Sequence, residues 1–130
     1  MGAVHVAVGV IVDAQRRILL SRRAADAHQG GLWEFPGGKV EDGEALGDAL
    51  ARELREELDI VPVRTSPLIQ VRHDYGDKRV LLDVHVVWDF RGDARGVEGQ
   101  PLAWVPVAEL DSYDFPAANL PIVTAVRDLW

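Results

Sequence analysis

Three glutamates in the middle of the chain, Glu53, Glu56 and Glu57, have the spacing and the chemistry to bind a divalent cation. Residues three and four positions apart lie on one face of an α-helix, and this Ala-, Leu-, Glu- and Arg-rich segment is typical of a helix. One interpretation is a solvated acidic stripe with ion pairs along the helix. The nearby cations, Arg52 and Arg55, are too few to neutralise three carboxylates, and carboxylate oxygens are the ligands that Mg²⁺ and Mn²⁺ prefer. The spacing therefore favours a metal site.

The predicted helix, 44–58, also carries an apolar face. This face consists of leucines at four-residue intervals, Leu46, Leu50, Leu54 and Leu58. At about 100° per residue, Glu57 projects into the same arc and Glu53 lies at its edge. A carboxylate beside a buried stripe is destabilising unless it is paired, and neighbouring like charges raise one another's pKa. A bound divalent cation removes both penalties.

A Pro-Gly-Gly-Lys segment, 36–39, precedes this helix. Gly37 and Gly38 allow main-chain groups to approach a ligand closely, so they can present a carbonyl to a metal or amides to a phosphate. Lys39 lies within reach of a phosphate. A plain tight turn accounts for the glycine pair equally well, and the glycines alone leave both interpretations open.

Other elements must position these groups. Alternation and β-branched residues predict extended segments at 4–12, 18–20, 32–35, 68–73, 80–90 and 102–105, and a second helix is predicted at 121–130. The first two strands, joined by the turn 13–17, are predicted to form a hairpin. Strands around one long helix, with another helix at the end, predict an α+β fold in which a mixed β-sheet is sandwiched between helices. We expect a single domain over residues 1–130.

Composition excludes several classes of function. The net charge of −7 disfavours binding along a nucleic-acid backbone, although a divalent cation can still bridge an acidic protein to a small polyphosphate. There is no cysteine, no basic leader and no apolar run of about 18 residues. A monomer in the cytoplasm, without membrane attachment, is expected.

Residues 38–60 read GKVEDGEALGDALARELREELDI. This segment resembles the signature box of the Nudix hydrolase family, with every defining position matched except one: Asp59 stands where the family has Gly. Aspartate tolerates the left-handed conformation that ends such a helix better than most residues do. Segments 22–28, 34–36, 98–101 and 114–119 are similar, in order and spacing, to the MutT-type branch of that family, the 8-oxo-dGTP diphosphatases.

The resemblance implies a Nudix-like fold and roles for individual residues. The expected metal ligands are the carbonyl of Gly37 and the carboxylates of Glu53, Glu56, Glu57 and Glu98. Arg52 is expected to orient a carboxylate of the box, Glu44 to support the junction before the helix, and Glu53 to activate the attacking water. Mg²⁺ is the expected cofactor, with Mn²⁺ as the alternative.

The resemblance also implies a nucleotide site. Asn119 is expected to recognise a purine edge, because an amide offers both a donor and an acceptor. By its type and position alone, Asn119 reads instead as a helix cap just before Pro121. The remaining expected substrate contacts are Arg23, His28, Phe35, Gly38, Lys39 and Lys78.

The implied activity is hydrolysis of oxidised purine nucleoside triphosphates, notably 8-oxo-dGTP, to the monophosphate and pyrophosphate, which sanitises the nucleotide pool. One alternative is a Nudix hydrolase for another nucleotide, such as a dinucleoside polyphosphate or a nucleotide sugar, because the box handles phosphates and not the leaving group. A second alternative is a nucleotide-binding module without turnover, in which loss of box carboxylates would be expected.

Overall fold

The computed structural model describes residues 3–24 and 30–130. Seven strands are present in this part of the chain: β1 Val4–Ile11, β2 Arg17–Arg22, β3 Trp33–Glu34, β4 Gly37–Lys39, β5 Val61–Asp74, β6 Arg79–Arg91 and β7 Leu102–Pro106. The helices are α1, Leu46–Leu58, and α2, Leu120–Arg127, preceded by the 3₁₀ turns Val107–Ser112 and Ala117–Asn119.

The larger sheet is mixed and has the strand order β4-β1-β6-β5. Its two central strands, β1 and β6, are parallel, with Val4 opposite Val80 and Ile11 opposite Val87, whereas both outer pairings are antiparallel. A smaller antiparallel sheet has the order β3-β2-β7. The predicted mixed sheet is confirmed.

The predicted hairpin between the first two strands is wrong. Only one bridge, between Val12 and Ile18, joins them, and β1 and β2 continue into different sheets. Alternate residues of β1 are buried on both faces, as at Ala7 and Val8. A strand that is apolar on both faces belongs at the centre of a sheet, so it takes β4 and β6 as partners. Proximity along the chain does not specify that choice.

The two faces of this strand layer carry separate apolar clusters. On one face, Leu50, Leu54 and Leu58 of α1 pack with Ala7 and Ile11. On the other, the apolar side chains of α2 join a larger cluster with the alternate residues of β1. The α2 members of that cluster are Ile122, Val123 and Val126. The expected sandwich of helices around a sheet is therefore confirmed, and α1 is fixed by its leucine face.

Both ends of α1 bear on the site that it carries. The helix begins at Leu46, two residues later than predicted, so Glu44 lies before the first turn. It ends at Leu58, and the next residue, Asp59, has a left-handed φ of 57° and ψ of 39° and donates its amide to the carbonyl of Arg55 at 3.1 Å. Aspartate thus adopts the conformation for which the family uses glycine.

The other predicted elements differ mainly in length. Strand β5 extends over 14 residues instead of six, and its register shifts near Pro62 and Pro67, as is usual for prolines on an edge strand. Helix α2 carries Pro121 in its first turn, as predicted, but ends at Arg127. Neither described helix has the length and apolar character needed to span a bilayer.

Candidate active site

A cleft of about 870 Å³ brings most of the expected site residues together. Those that line it are Arg23, Phe35, Gly37, Gly38, Lys39, Glu57, Lys78, Glu98 and Asn119. The expected residues Glu44, Arg52, Glu53 and Glu56 are absent from its lining. His28 lies outside the described residues.

Arg52 connects three parts of the site. Its Nε and Nη2 donate to the two carboxylate oxygens of Glu44 at 2.9 and 3.0 Å, and its Nη1 donates to Oε1 of Glu53 at 2.8 Å. Nη2 also donates to the carbonyl of Lys39 at 3.0 Å. These hydrogen bonds from Arg52 lower the pKa of Glu44 to about 2, with help from the Glu41 amide. Glu44 therefore remains ionised at neutral pH and anchors the guanidinium that holds Glu53.

The two glycines before α1 are required by close contacts and not by a turn. Both lie in strand β4, with Gly37 opposite Val8 and Gly38 opposite Ala7. A Cβ atom on Gly37 would lie 2.0 Å from the carbonyl oxygen of Ala7. A Cβ atom on Gly38 would lie 2.2 Å from the carboxylate of Glu53. The tight-turn interpretation is wrong, because the glycines let a carboxylate rest directly on the strand.

Among the described residues that line the cleft, Glu57 has the carboxyl pKa that lies farthest from its ordinary value. Burial and the negative charges of Glu53, Glu34 and Glu98 raise its pKa to about 8, although the Gly37 amide partly offsets this by donating to the carboxylate. Carboxylates from three elements, α1, β3 and the β6–β7 loop, thus raise the pKa of one group. Such a concentration of negative charge is suited to a bound cation.

The cleft lining also includes an aromatic residue, Phe35, and a nearly buried amide, that of Asn119. Phe35 is 3% exposed and stacks on Phe115, with ring centroids 5.4 Å apart. Asn119 is only 9% exposed and faces the cleft. It occupies the N-cap position of α2, yet its side chain makes no capping hydrogen bond. The capping interpretation therefore does not explain why a buried amide lies here.

Comparison with known proteins gives the same assignment as the signature box. The model of the NUDIX domain family matches residues 7–125. The chain belongs to this family.

Two curated relatives of this Nudix protein are from Escherichia coli K12. It is 38% identical to 8-oxo-dGTP diphosphatase over 99% of the chain and all of that protein. It is 36% identical to CTP pyrophosphohydrolase over 94% of the chain and 90% of that protein. A solved MutT, from work on Aliivibrio salmonicida and Vibrio cholerae, superimposes with a TM-score of 0.86 at 35% identity, covering 99% of this chain and all of that one.

Nudix hydrolases are generally dependent on divalent metals, and the donor types in this cleft fit such an ion. Carboxylates and a backbone carbonyl are hard oxygen ligands. Within residues 3–24 and 30–130, however, no three acidic or imidazole side chains converge on one point as a finished metal centre. Glu56 is 61% exposed and only 3.7 Å from Arg52, and Glu98 is also exposed. Both side chains have room to turn, so the structure is compatible with a site that an ion completes.

Sequence reasoning missed several polar residues that line the cleft, among them Glu34 and Tyr75. Arg23 Nη1 donates to Glu34 at 2.5 Å, but burial outweighs this contact and raises the pKa of Glu34. Tyr75 lies in the β5–β6 turn with Lys78; burial raises the pKa of its hydroxyl, opposed by a hydrogen bond from the Ala118 amide. A lone carboxylate within the apolar segment 32–35 was the available signal for Glu34. Nothing in the local sequence marks Tyr75, because only the fold brings its turn to the 3₁₀ segment that holds Asn119.

Proposed function

We propose that this protein hydrolyses purine nucleoside triphosphates, with 8-oxo-dGTP preferred, to the nucleoside monophosphate and pyrophosphate. The observation that carries the proposal is that one cleft joins the acidic end of α1 to the buried amide of Asn119. The relatives named 8-oxo-dGTP diphosphatase and MutT support the same substrate. This activity would remove oxidised nucleotides from the precursor pool.

The acidic residues would hold the divalent cations, for which we propose Mg²⁺, with Mn²⁺ as a substitute. The ligands would be Glu53, Glu56, Glu57, Glu98 and the carbonyl of Gly37. When bound, such cations neutralise phosphate oxygens and lower the pKa of coordinated water. Arg23, Lys39 and Lys78 line the same cleft and would attract the remaining phosphate charge.

Glu53 is the proposed general base. Arg52 holds one of its carboxylate oxygens at 2.8 Å, which fixes the direction of the group before substrate arrives. Glu53 accepts a proton as the water oxygen bonds to the β phosphorus. The bond from that phosphorus to the α–β bridging oxygen breaks, and the monophosphate leaves with the bridging oxygen.

Asn119 is the proposed base-recognition residue. Its amide can both donate to and accept from a purine edge. Because Asn119 is nearly buried, a base that leaves one of its amide atoms without a hydrogen bond would bind with a larger free-energy penalty. Phe35 contributes an apolar wall that is already ordered by its stack on Phe115. We further propose that the protein is a monomer in the cytoplasm and that it folds as one domain over residues 1–130. No affinity for polynucleotides is proposed, in keeping with the charge of −7.

A second candidate substrate follows from the CTP pyrophosphohydrolase relative. The carboxylates of α1 act on phosphates and leave the base open, so a pyrimidine triphosphate would use the same chemistry. The base-recognition end of the cleft distinguishes the two candidates, because a ring-sized difference in the base has to be sensed near Asn119.

The test compares kcat/KM for 8-oxo-dGTP, dGTP and CTP in the presence of Mg²⁺. We expect kcat/KM for 8-oxo-dGTP to exceed the other two values by at least tenfold, and Asn119→Ala to reduce that ratio by roughly 5- to 150-fold (about 1–3 kcal/mol). Equal values for all three nucleotides would remove the sanitising function. Preference for CTP would establish the second candidate.

A second measurement asks whether the protein turns over at all. Glu53→Gln should abolish pyrophosphate release, whereas Glu109→Gln, at an exposed position in the 3₁₀ turn Val107–Ser112, should retain wild-type rates. Nucleotide binding without pyrophosphate release by the wild-type protein would establish a binding module instead.

A further inference from the structure

The loop between β6 and β7 carries Glu98 and lies against the carboxyl end of α1. Two backbone hydrogen bonds join them: the amide of Arg95 donates to the carbonyl of Leu58 at 3.0 Å, and the amide of Val97 donates to the carbonyl of Glu57 at 3.0 Å. The last residues of α1 are thus hydrogen-bonded directly to the loop. These contacts locate the loop, but they stop one residue before Glu98.

Gln100 supplies the next connection with its side chain. Its Oε1 accepts the backbone amide of Glu98 at 3.0 Å, and its Nε2 donates to the carbonyl of Glu57 at 3.1 Å. Both ends of one amide are therefore used, one on each of the two elements that bear carboxylates. Gln100 is half-buried and lines the cleft with Glu57 and Glu98.

Gly96 makes room for this arrangement. A Cβ atom at Gly96 would lie 2.2 Å from the backbone oxygen of Gln100 and 3.2 Å from its Oε1. The turn is closed by the amide of Gly99, which donates to the carbonyl of Gly96 at 3.0 Å. Any side chain at position 96 would push against the residue that links the loop to the helix.

We propose that Gln100 is a positioning residue that holds the Glu98 backbone against the Glu57 carbonyl, so that both side chains enter the cleft from backbone positions fixed relative to each other. The inference rests on the proposed function, because it assigns Gln100 to the cation-binding carboxylates. Glu98 is an exposed side chain on a loop. Without the Gln100 bridge, only the hydrogen bonds of the neighbouring Val97 and Gly99 amides would hold the Glu98 backbone, so further ordering would be needed each time an ion binds, which weakens binding entropically.

The first test examines the bridge itself, in protein without metal. Gln100→Met keeps a side chain of similar length and removes both hydrogen bonds. Gln70→Met is the matched control, because Gln70 also donates from its side chain, to Asp83 at 3.3 Å, but lies on the exposed face of β5. Hydrogen exchange at the Glu98 amide should accelerate at least about fivefold in Gln100→Met, the effect of losing one hydrogen bond. Amides of β1 should be unchanged, and so should Glu98 in the control. Unaltered exchange at Glu98 would overturn the proposal.

The second test asks whether Gln100 acts through Glu98. Gln100→Met should raise the half-saturating Mg²⁺ concentration and lower kcat, each by roughly tenfold, with the KM for nucleotide changed less than about twofold, since the base contacts remain. Gly96→Ala should shift the same quantities in the same direction. In a double-mutant cycle, Glu98→Gln should have a smaller effect in the Gln100→Met background than in wild type.

The outcomes separate this proposal from the proposed function. Multiplicative effects of the two substitutions, with the wild type active, would overturn the role of Gln100 and leave the hydrolase assignment intact. The same conclusion would follow if Glu98→Gln had no effect on an active enzyme. Absence of Mg²⁺-dependent pyrophosphate release in the wild type would instead overturn the proposed function, while the exchange experiment would still report on the bridge.

Discussion

Replacing Glu57 by glutamine should stabilise the metal-free protein at alkaline pH. Burial and three neighbouring carboxylates raise the pKa of Glu57 to about 8, from an ordinary value of 4.5. Glutamine has the shape of the protonated acid and an oxygen to accept the Gly37 amide, but it carries no charge to desolvate. The substitution therefore removes the penalty of ionising this group inside the cleft.

The sign and size follow from proton linkage. Between pH 4.5 and about 8 the folded state holds a proton that the unfolded state has lost, so wild-type stability falls as pH rises through this window. A pKa raised from 4.5 to about 8 corresponds to at most about 5 kcal/mol of stability. Glu57 is only half-buried in an open cleft, and solvent screening reduces the expected effect to about 2 kcal/mol.

Thermal unfolding in EDTA, from pH 5 to pH 9, measures this effect. The two proteins should have similar Tm values at pH 5, and Glu57→Gln should unfold about 6–10 °C higher at pH 9. Glu56→Gln is the matched control: it is the same substitution one residue away, on a side chain that is 61% exposed. It should follow the wild-type pH profile.

A Tm difference that does not vary with pH would refute the reasoning, as would an equal gain in Glu56→Gln.

A second experiment measures thermal unfolding of the same proteins at pH 8 with added Mg²⁺. The wild type should gain stability and the Glu57→Gln variant should gain much less, because a cation favours the ionised carboxylate. Equal gains in Tm would show that Glu57 is not a metal ligand, without contradicting the effect of burial on its pKa.

Three further predictions concern the ends and the support of the same helix. Arg52→Lys should lower kcat by roughly 10- to 100-fold in a pyrophosphate-release assay, because an ammonium cannot bind Glu44 through two parallel hydrogen bonds and also hold Glu53. Gly38→Ala should lower stability by about 1–3 kcal/mol in urea unfolding and weaken Mg²⁺ binding in calorimetry, since its Cβ would strike the Glu53 carboxylate. Asp59→Gly should raise the free energy of unfolding by about 0.5–1 kcal/mol, as it relieves a left-handed aspartate; a loss of stability would show that the exposed contact with Arg95 at 3.3 Å matters more.

Helix α1 is the element that the sequence determined most completely. Its leucines at positions 46, 50, 54 and 58 specify a buried face by local periodicity, and the carboxylates between them specify an acidic face. Both are properties of consecutive residues. The sequence also indicated that the glycines beside Glu53 matter, but the structure shows that they are needed for a close contact within a strand. Local pattern thus determined which groups carry the chemistry.

Tertiary structure decided which groups meet. Strand pairing placed β1 between β4 and β6 and not in a hairpin with β2, and the same pairing brought the β5–β6 turn, with Tyr75, toward Asn119. The pKa of Glu57 depends on carboxylates from three separate elements, and the amide of Gln100 joins two of those elements. These properties arise from distances between residues far apart in the chain, because electrostatic and hydrogen-bond energies depend on separation in space and burial, which periodicity does not encode.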